Sequence, residues 1–451
     1  MPNTRISIAL TERDNPYTDQ TTINGMVEKA ILQGLGYHSY VEMQKAIRPN
    51  QRFLLKPNWV FHKTRSAGST MECMLTNSSI IKAVILLISG LHPSSIVIGD
   101  APIQKCNFDE IVTAEFKDEC QKLTNIKISF IDFREFISCE KENISKGYFQ
   151  NRKDADYVLF DLKKDSLLEQ VASKTNKFQI TNYDNRIVEH HHHKGLHQYL
   201  VCKEVFDTDI LINLPKLKMH SKVGFTGALK NLVGCIGDKT YLPHHRLGGT
   251  FFGGDCYPGI QVLKLLIENC LNFRNHYIGR EGYFHRWNRI AKACFKMDRK
   301  VQNTLYHHYD GIFEGSWSGN DTAWRTVIDI NRIIEFGTKN GQIGTRPQRE
   351  IWTLTDAVVC GEGEGPMECS PLFLGMVTFS KSQMALDLLH GALLGYQIDE
   401  VNILKYISSI ISQQQIEVIL EENLYRIEDI IQNYHVHAKR PACLRGTNEI
   451  E

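Results

Sequence analysis

Short aliphatic and β-branched runs alternate along this chain with segments of helical spacing, and few folds accept that alternation. Apolar strand-like runs stand at residues 5–10, 52–56, 95–99, 127–131, 157–160, 209–213 and 351–359, with another near 374–379. Helical periodicity occupies 22–35, 78–91, 258–272 and 382–394. Parallel strands need long crossover connections, and helices placed between strands supply them. The pattern predicts an α/β protein with a largely parallel, Rossmann-like sheet and helical crossovers. Residues 272–330 break the rhythm with an aromatic and basic stretch (Phe273, Arg274, Arg280, Tyr283, Arg286 and Trp287 among them). This stretch is expected to be a mostly helical insertion or lid. The expected organisation is an N-terminal α/β core with a ligand-binding corner over 1–271, the insertion over 272–330, and a C-terminal α/β part over 331–451. That last part completes the core and ends in a polar tail from about Lys439.

The charge balance is nearly even, 52 Lys and Arg against 51 Asp and Glu, so no global field draws the chain to nucleic acid or membrane. Neither is expected as a partner. The N-terminus is polar, with Arg5, Glu12 and Arg13, and shows no signal peptide. The longest apolar run, 80–91, is interrupted by Lys82 and Ser89 and is too short to span a bilayer. The 12 cysteines include no C-x-x-C pair, so an iron–sulfur cluster is not expected and a reducing cytoplasm is.

Chemistry concentrates in residues 210–237. A buried strand passes through Pro215 into the cations Lys216, Lys218, His220 and Lys222. The chain then meets Gly224 and Gly227 and enters a helical pattern carrying Lys230. A strand feeding a glycine-rich turn and a helix start leaves backbone N–H groups and a helix dipole to receive an anion. The Walker A spacing is absent, which disfavours a P-loop nucleotidase. His220 is a candidate proton carrier, and Lys230 a candidate phosphate or carboxylate grip, nucleophile or covalent anchor.

Ligands of open parallel sheets bind beyond the carboxyl ends of the strands. That rule selects Lys56 and Asn58, Asp100 at the end of 95–99, Asn213 before the cationic corner, and the loop 361–366 with Glu362 and Glu364. Asp100 either contacts a ligand or caps the next helix. Glu364 is a candidate base, or with Glu362 a magnesium site. Asn320, Asp321 and Arg325, beside Trp317 and Trp324, suit a hydroxylated acid or a helix cap. The tract His190–His193 with His197 offers imidazoles to nickel, zinc or iron; His191, His192 and His197 are the candidates, with His244 and His245 as a second pair. Asp387, inside an apolar helix, is expected to be a buried structural carboxylate.

These motifs together resemble domain-of-unknown-function family 362. The resemblance rests on Lys56-Pro57-Asn58, the run 98–102, His191-His192 with Gly195 and His197, and the run 213–216 with Lys218 and His220. It continues through 224–234, 319–322 and 361–366. A more distant resemblance links His220, Gly224, Phe225, Thr226, Gly227 and Lys230 to a motif of the nickel-pincer lactate racemases. It implies a proton-accepting role for His220, a covalent pincer cofactor on Lys230 and a nickel ligand near His244 or His245. The expected function is an enzyme acting on an anionic, hydroxylated small molecule. The reaction expected is a metal-assisted epimerisation or isomerisation of a hydroxy acid or a polysaccharide precursor. The alternatives are a non-catalytic metal or cofactor carrier and a magnesium-dependent transferase or ligase.

Overall fold

The computed structural model describes residues 4–13, 15–141, 144–173, 177–277, 281–306 and 310–444; Arg280 and the end of the polar tail lie outside these. The central sheet is built from β1 (Thr4–Leu10), β2 (Arg52–Pro57), β3 (Ser95–Asp100), β4 (Ile128–Asp132) and β5 (Ile210–Leu214). It continues with β6 (Lys216–His220), β7 (Gly224–Thr226), β8 (Glu350–Glu364), β9 (Glu368–Ser380), β10 (Ile416–Leu420) and β11 (Asn423–Arg426). Its spatial order is β11-β10-β1-β9-β8-β5-β2-β3-β4, with β6 beside β8 and β7 beside β6. The block β8-β5-β2-β3-β4 is parallel throughout. The hairpin β8–β9 and the pair β1–β9 are antiparallel. The molecule is therefore α/β with a mostly parallel sheet.

Burial explains the strands. In β2, Phe53 and Leu55 join the apolar cluster on one face while Leu54 joins that on the other. In β5, Ile210 and Ile212 face one way and Leu211 the other. A sheet covered on both faces needs such continuous apolar runs. One face is covered by α1 (Gln20–Leu35) and α2 (Ser78–Ser89). Asp19 caps α1 through the N–H groups of Thr21 and Thr22, and Asn77 caps α2 through that of Ser79.

The other face carries a one-turn helix α3 (Ala228–Asn231), then, beyond the insertion, α6 (Ala323–Phe336) and α7 (Gln383–Leu393). The insertion itself is a helical hairpin, α4 (Val262–His276) with α5 (Glu281–Tyr306). Two boundaries differ from expectation. The run 157–160 lies outside the central sheet, where Tyr157–Asp161 pairs with Leu196–Cys202 in a small three-stranded sheet. Residues 361–364 are not a loop after a strand end. They continue β8, because β9 pairs with it as far as Glu364 opposite Glu368.

The start of α3 is settled from within. The Asp387 carboxylate on α7 accepts the N–H of Ala228 at 2.7 Å and of Leu229 at 3.0 Å, and the His390 ring lies at 3.2 Å. Asp387 is buried, as its apolar setting in the sequence indicates. We predict that Asp387→Ala lowers the unfolding free energy by about 2–4 kcal/mol, since it strands two buried amides. Urea denaturation of the two proteins checks this, and a change within error contradicts it.

Candidate functional site

The carboxyl ends of β2, β3 and β5 open into a cavity of about 690 Å³. Its floor holds Lys56 and Asn58 from the end of β2, Asp100 from β3, Lys218 and His220 from β6, and Lys230 and Asn231 from α3. Lys222, Lys239 and His244 close the sides. Arg65 and Lys105 reach it from two loops, and the hairpin roofs it with Arg274, Asn275, Phe284 and Asn288. Among the described residues, six lysines and two arginines line this space against one carboxylate, that of Asp100.

Asp100 is already engaged. It pairs with Lys56 at 2.7 Å and accepts the N–H of Trp59 at 2.6 Å and of Ala101 at 2.8 Å. It fixes Lys56 and the strand-end turn instead of facing the cavity as a free base. Close packing helps: a Cβ on Gly234 would meet Asp100 Oδ1 at 2.0 Å and Lys56 Nζ at 2.5 Å, so only glycine lets the chain pass there.

Neutral amides hold most of the remaining charge. Lys218 Nζ donates to Asn58 Oδ1 at 2.7 Å and to the Met74 carbonyl. Asn58 Nδ2 donates to Asn231 Oδ1 at 2.8 Å, and Lys56 Nζ donates to the same oxygen at 3.2 Å. Asn231 Nδ2 donates to Asn213 Oδ1 at 2.8 Å, and Asn213 Nδ2 to the Ala228 carbonyl at 2.8 Å. Asn213 thus stands behind the cavity and ties α3 to β5. Lys239 Nζ donates to the Ala101 carbonyl at 2.8 Å, and Lys222 Nζ to Thr181 Oγ1 at 3.0 Å. Lys230, half-buried, reaches the cavity with no hydrogen bond to a described residue.

Electrostatics follow from this arrangement. Burial pushes Lys230 down to about 7, with Lys239, Lys218, Lys56 and Lys222 adding repulsion. Burial also takes Lys218 and Lys239 down to about 8. Burial, reinforced by Lys230, holds His220 and His244 well below the usual imidazole range, so both rings are neutral near pH 7. Their tautomers differ. His220 Nδ1 accepts the Lys222 N–H at 3.1 Å, which leaves the ring proton on Nε2. His244 Nδ1 lies 2.8 Å from the Leu242 carbonyl and must donate to it, which leaves Nε2 with a lone pair. His220 is thereby a hydrogen-bond donor at Nε2 in its neutral form and His244 an acceptor.

Several residues selected from sequence stand elsewhere. Lys216 is fully buried in an ion pair with Asp356 at 2.6 Å and donates to Tyr17 Oη at 2.9 Å; it is structural and does not line the cavity. The helix-start amides beyond Gly224 and Gly227 are not open to a ligand, because Asp387 occupies them. Gly224 instead takes φ +85° opposite Val401, and a Cβ on Gly227 would meet Asp387 Oδ1 at 2.1 Å. Glu364 accepts the N–H of Ala442 at 2.7 Å and Glu362 that of Lys439 at 2.8 Å, so both tether the C-terminal segment and neither lines the cavity.

Just ahead of α6, Asn320 Oδ1 accepts the N–H of Thr322 and of Ala323 and its Nδ2 donates to the His244 carbonyl at 2.9 Å, Asp321 pairs with Arg325 at 3.1 Å, and Trp317 and Trp324 donate to Asp255 O and Asp321 Oδ1. This block supports the segment behind His244. In the histidine tract, His191 stacks on Tyr241 at 3.6 Å, His192 lies 3.1 Å from the Tyr241 carbonyl, and His197 meets Glu169 at 3.1 Å. His245 is buried in a short strand pairing with Gln179. Among the described residues, no group of three or more His, Cys, Asp or Glu side chains is set to hold a metal ion. Sequence reasoning missed Asn231, Lys239, Arg65 and Arg274. Only Asn231 carried a signal, its place directly after Lys230.

The family model described as "Domain of unknown function (DUF362)" matches residues 150–390, and the chain belongs to that family. A thylakoid-associated protein of Synechocystis sp. is 51% identical over 49 residues, which is 11% of this chain and 15% of that protein. A solved structure of a Thermotoga maritima protein matches with TM-score 0.32 and 11% identity, over 79% of this chain and 54% of that one. Both matches span less than two thirds of the other protein.

The lysine cluster makes a signed prediction. Lys230 at about 7 in the fold lies below its ordinary 10.5, so between those values the unfolded chain binds more protons and stability rises with pH. A bound dianion favours the protonated lysines, so binding takes up protons and weakens as pH climbs above Lys230's value. Sulfate, whose charge is constant over this range, is expected to raise Tm more at about pH 6.5 than at about pH 9. Thermal-shift titrations at both values check it, and equal shifts contradict it.

Proposed function

We propose that the protein is an enzyme that binds a small, multiply charged anion in the strand-end cavity and moves a proton at a carbon beside the anionic group. The observation that carries this reading is the excess of cations lining one cavity whose one carboxylate among the described residues is already committed. Like charges confined together cost free energy until an anionic guest offsets them. In this reading Lys56, Lys218, Lys230 and Lys239 hold the charge of the guest. His244 Nε2 takes the proton and becomes an imidazolium, the ammonium groups of Lys218 and Lys230 and the His220 Nε2–H stabilise the oxyanion that forms, and the His244 imidazolium returns the proton to carbon. The reaction class is isomerisation or epimerisation of a hydroxy acid or a phosphorylated saccharide precursor, in the cytoplasm.

The resemblance to nickel-pincer racemases is compatible with the donors present: a Lys230 amine free of hydrogen bonds and a His244 Nε2 lone pair face one cavity. Were that group bound, Lys230 would hold it, His244 would ligate its nickel in place of acting as the base, and the group would supply reversible hydride acceptance. The other steps, gripping the anion and fixing its orientation, belong to the lysines and amides either way.

The test needs no prior substrate. Phosphorylated sugars and hydroxy acids that shift the melting temperature are incubated with the protein in D2O, and carbon-bound deuterium is followed by NMR. We expect exchange with at least one binder, reduced about a thousandfold or more by Lys230→Ala and by His244→Ala while both variants keep the native fold. Binding without exchange makes the protein a carrier. Full exchange in both variants defeats the residue assignment.

A further inference from the structure

The hairpin that roofs the cavity has an outer surface as unusual as its inner one. Eighteen large apolar side chains are exposed among the described residues, and eleven of them fall within residues 251–305. On α5 they are Tyr283, Ile290, Met297, Val301 and Leu305, at steps of seven, seven, four and four. That spacing draws one stripe along the full helix. On α4, Val262, Leu266 and Phe273 repeat the same spacing. The two helices pack together, and Phe273 stacks on Trp287 with ring centroids 4.8 Å apart, so the stripes meet. Phe251 and Phe252, 70% and 58% exposed, extend the surface just before α4.

One edge of the stripe is bordered by Arg286, Arg289 and Lys300, while Lys292, Lys296 and Arg299 point further round the solvent side of α5. The acids of that helix are Glu281 and Asp298, and Asp298 is buried. Arg286, Arg289, Lys292, Lys296 and Lys300 form no ion pair with any described residue. No helix among the described residues is long and apolar enough to cross a membrane. An amphipathic helix with an apolar stripe flanked by uncompensated cations suits the plane of an anionic lipid surface, where rings and aliphatic chains enter the headgroup layer and cations meet phosphate.

We propose that the outer face of the α4–α5 hairpin docks on anionic lipid bilayers. The occupant is a membrane surface and not a second protein, because the charge flanking the stripe is of one sign. A protein interface of this length would set acids among the bases to fix its register.

The test is flotation of the full chain with vesicles of phosphatidylcholine alone and of phosphatidylcholine with one third phosphatidylglycerol. We expect partitioning onto the anionic vesicles, at least about tenfold stronger than onto the neutral ones. Ile290→Asp with Met297→Asp, and separately Arg286→Glu with Arg289→Glu, are each expected to weaken it about tenfold or more. All four positions are exposed, so unfolding midpoints should stay unchanged; a pair that fails to fold is replaced by Tyr283→Ser with Leu305→Ser. Absence of partitioning, equal partitioning onto both vesicles, or full retention by folded variants overturns the proposal. So does a concentration-dependent dimer that Ile290→Asp with Met297→Asp abolishes, which assigns the face to a second copy.

Discussion

Mutual repulsion among the cavity lysines is the constraint around which the carboxyl ends of this sheet are organised. Six ammonium groups, those of Lys56, Lys105, Lys218, Lys222, Lys230 and Lys239, line one cavity. Asp100 offsets part of that charge and is consumed in doing so. Carbonyls, a hydroxyl and asparagine side chains supply the rest of the support, and dipoles orient an ammonium group without neutralising it. The strain is carried elsewhere, by a parallel sheet buried on both faces and by a carboxylate on a distant helix that secures α3.

The fold was legible in the sequence where pattern follows directly from burial. β2, β3 and β5 are continuous apolar runs because a covered parallel strand must be apolar on both sides, and the helices between them keep their spacing for the same reason. The strand-end rule grouped Lys56, Asn58, Asp100, Lys218, His220 and Lys230, and these residues line one cavity.

Partner choice was not legible. Lys216 and Lys218 are two residues apart on one strand, and which of them meets a buried acid depends on Asp356, far along the chain on β8. Gly227 promises open amides until Asp387 arrives from α7. The turn at 361–366 looks like a strand end because its glycines mimic one, yet β9 returns to pair with it. Histidine roles hinge on a backbone carbonyl and a backbone amide, and neither leaves a trace in residue type. Net charge misled in a similar way: a total of +1 hides six cations on one helix and eight in one cavity.

The chain of amides from Asn213 through Asn231 and Asn58 to Lys218 has its own consequence. Carboxamides neither gain nor lose protons in water at any physiological acidity, so this scaffold keeps one electrical state whatever enters. Under the proposed function, the number of negative charges a guest brings, more than its outline, would set how firmly this scaffold holds it.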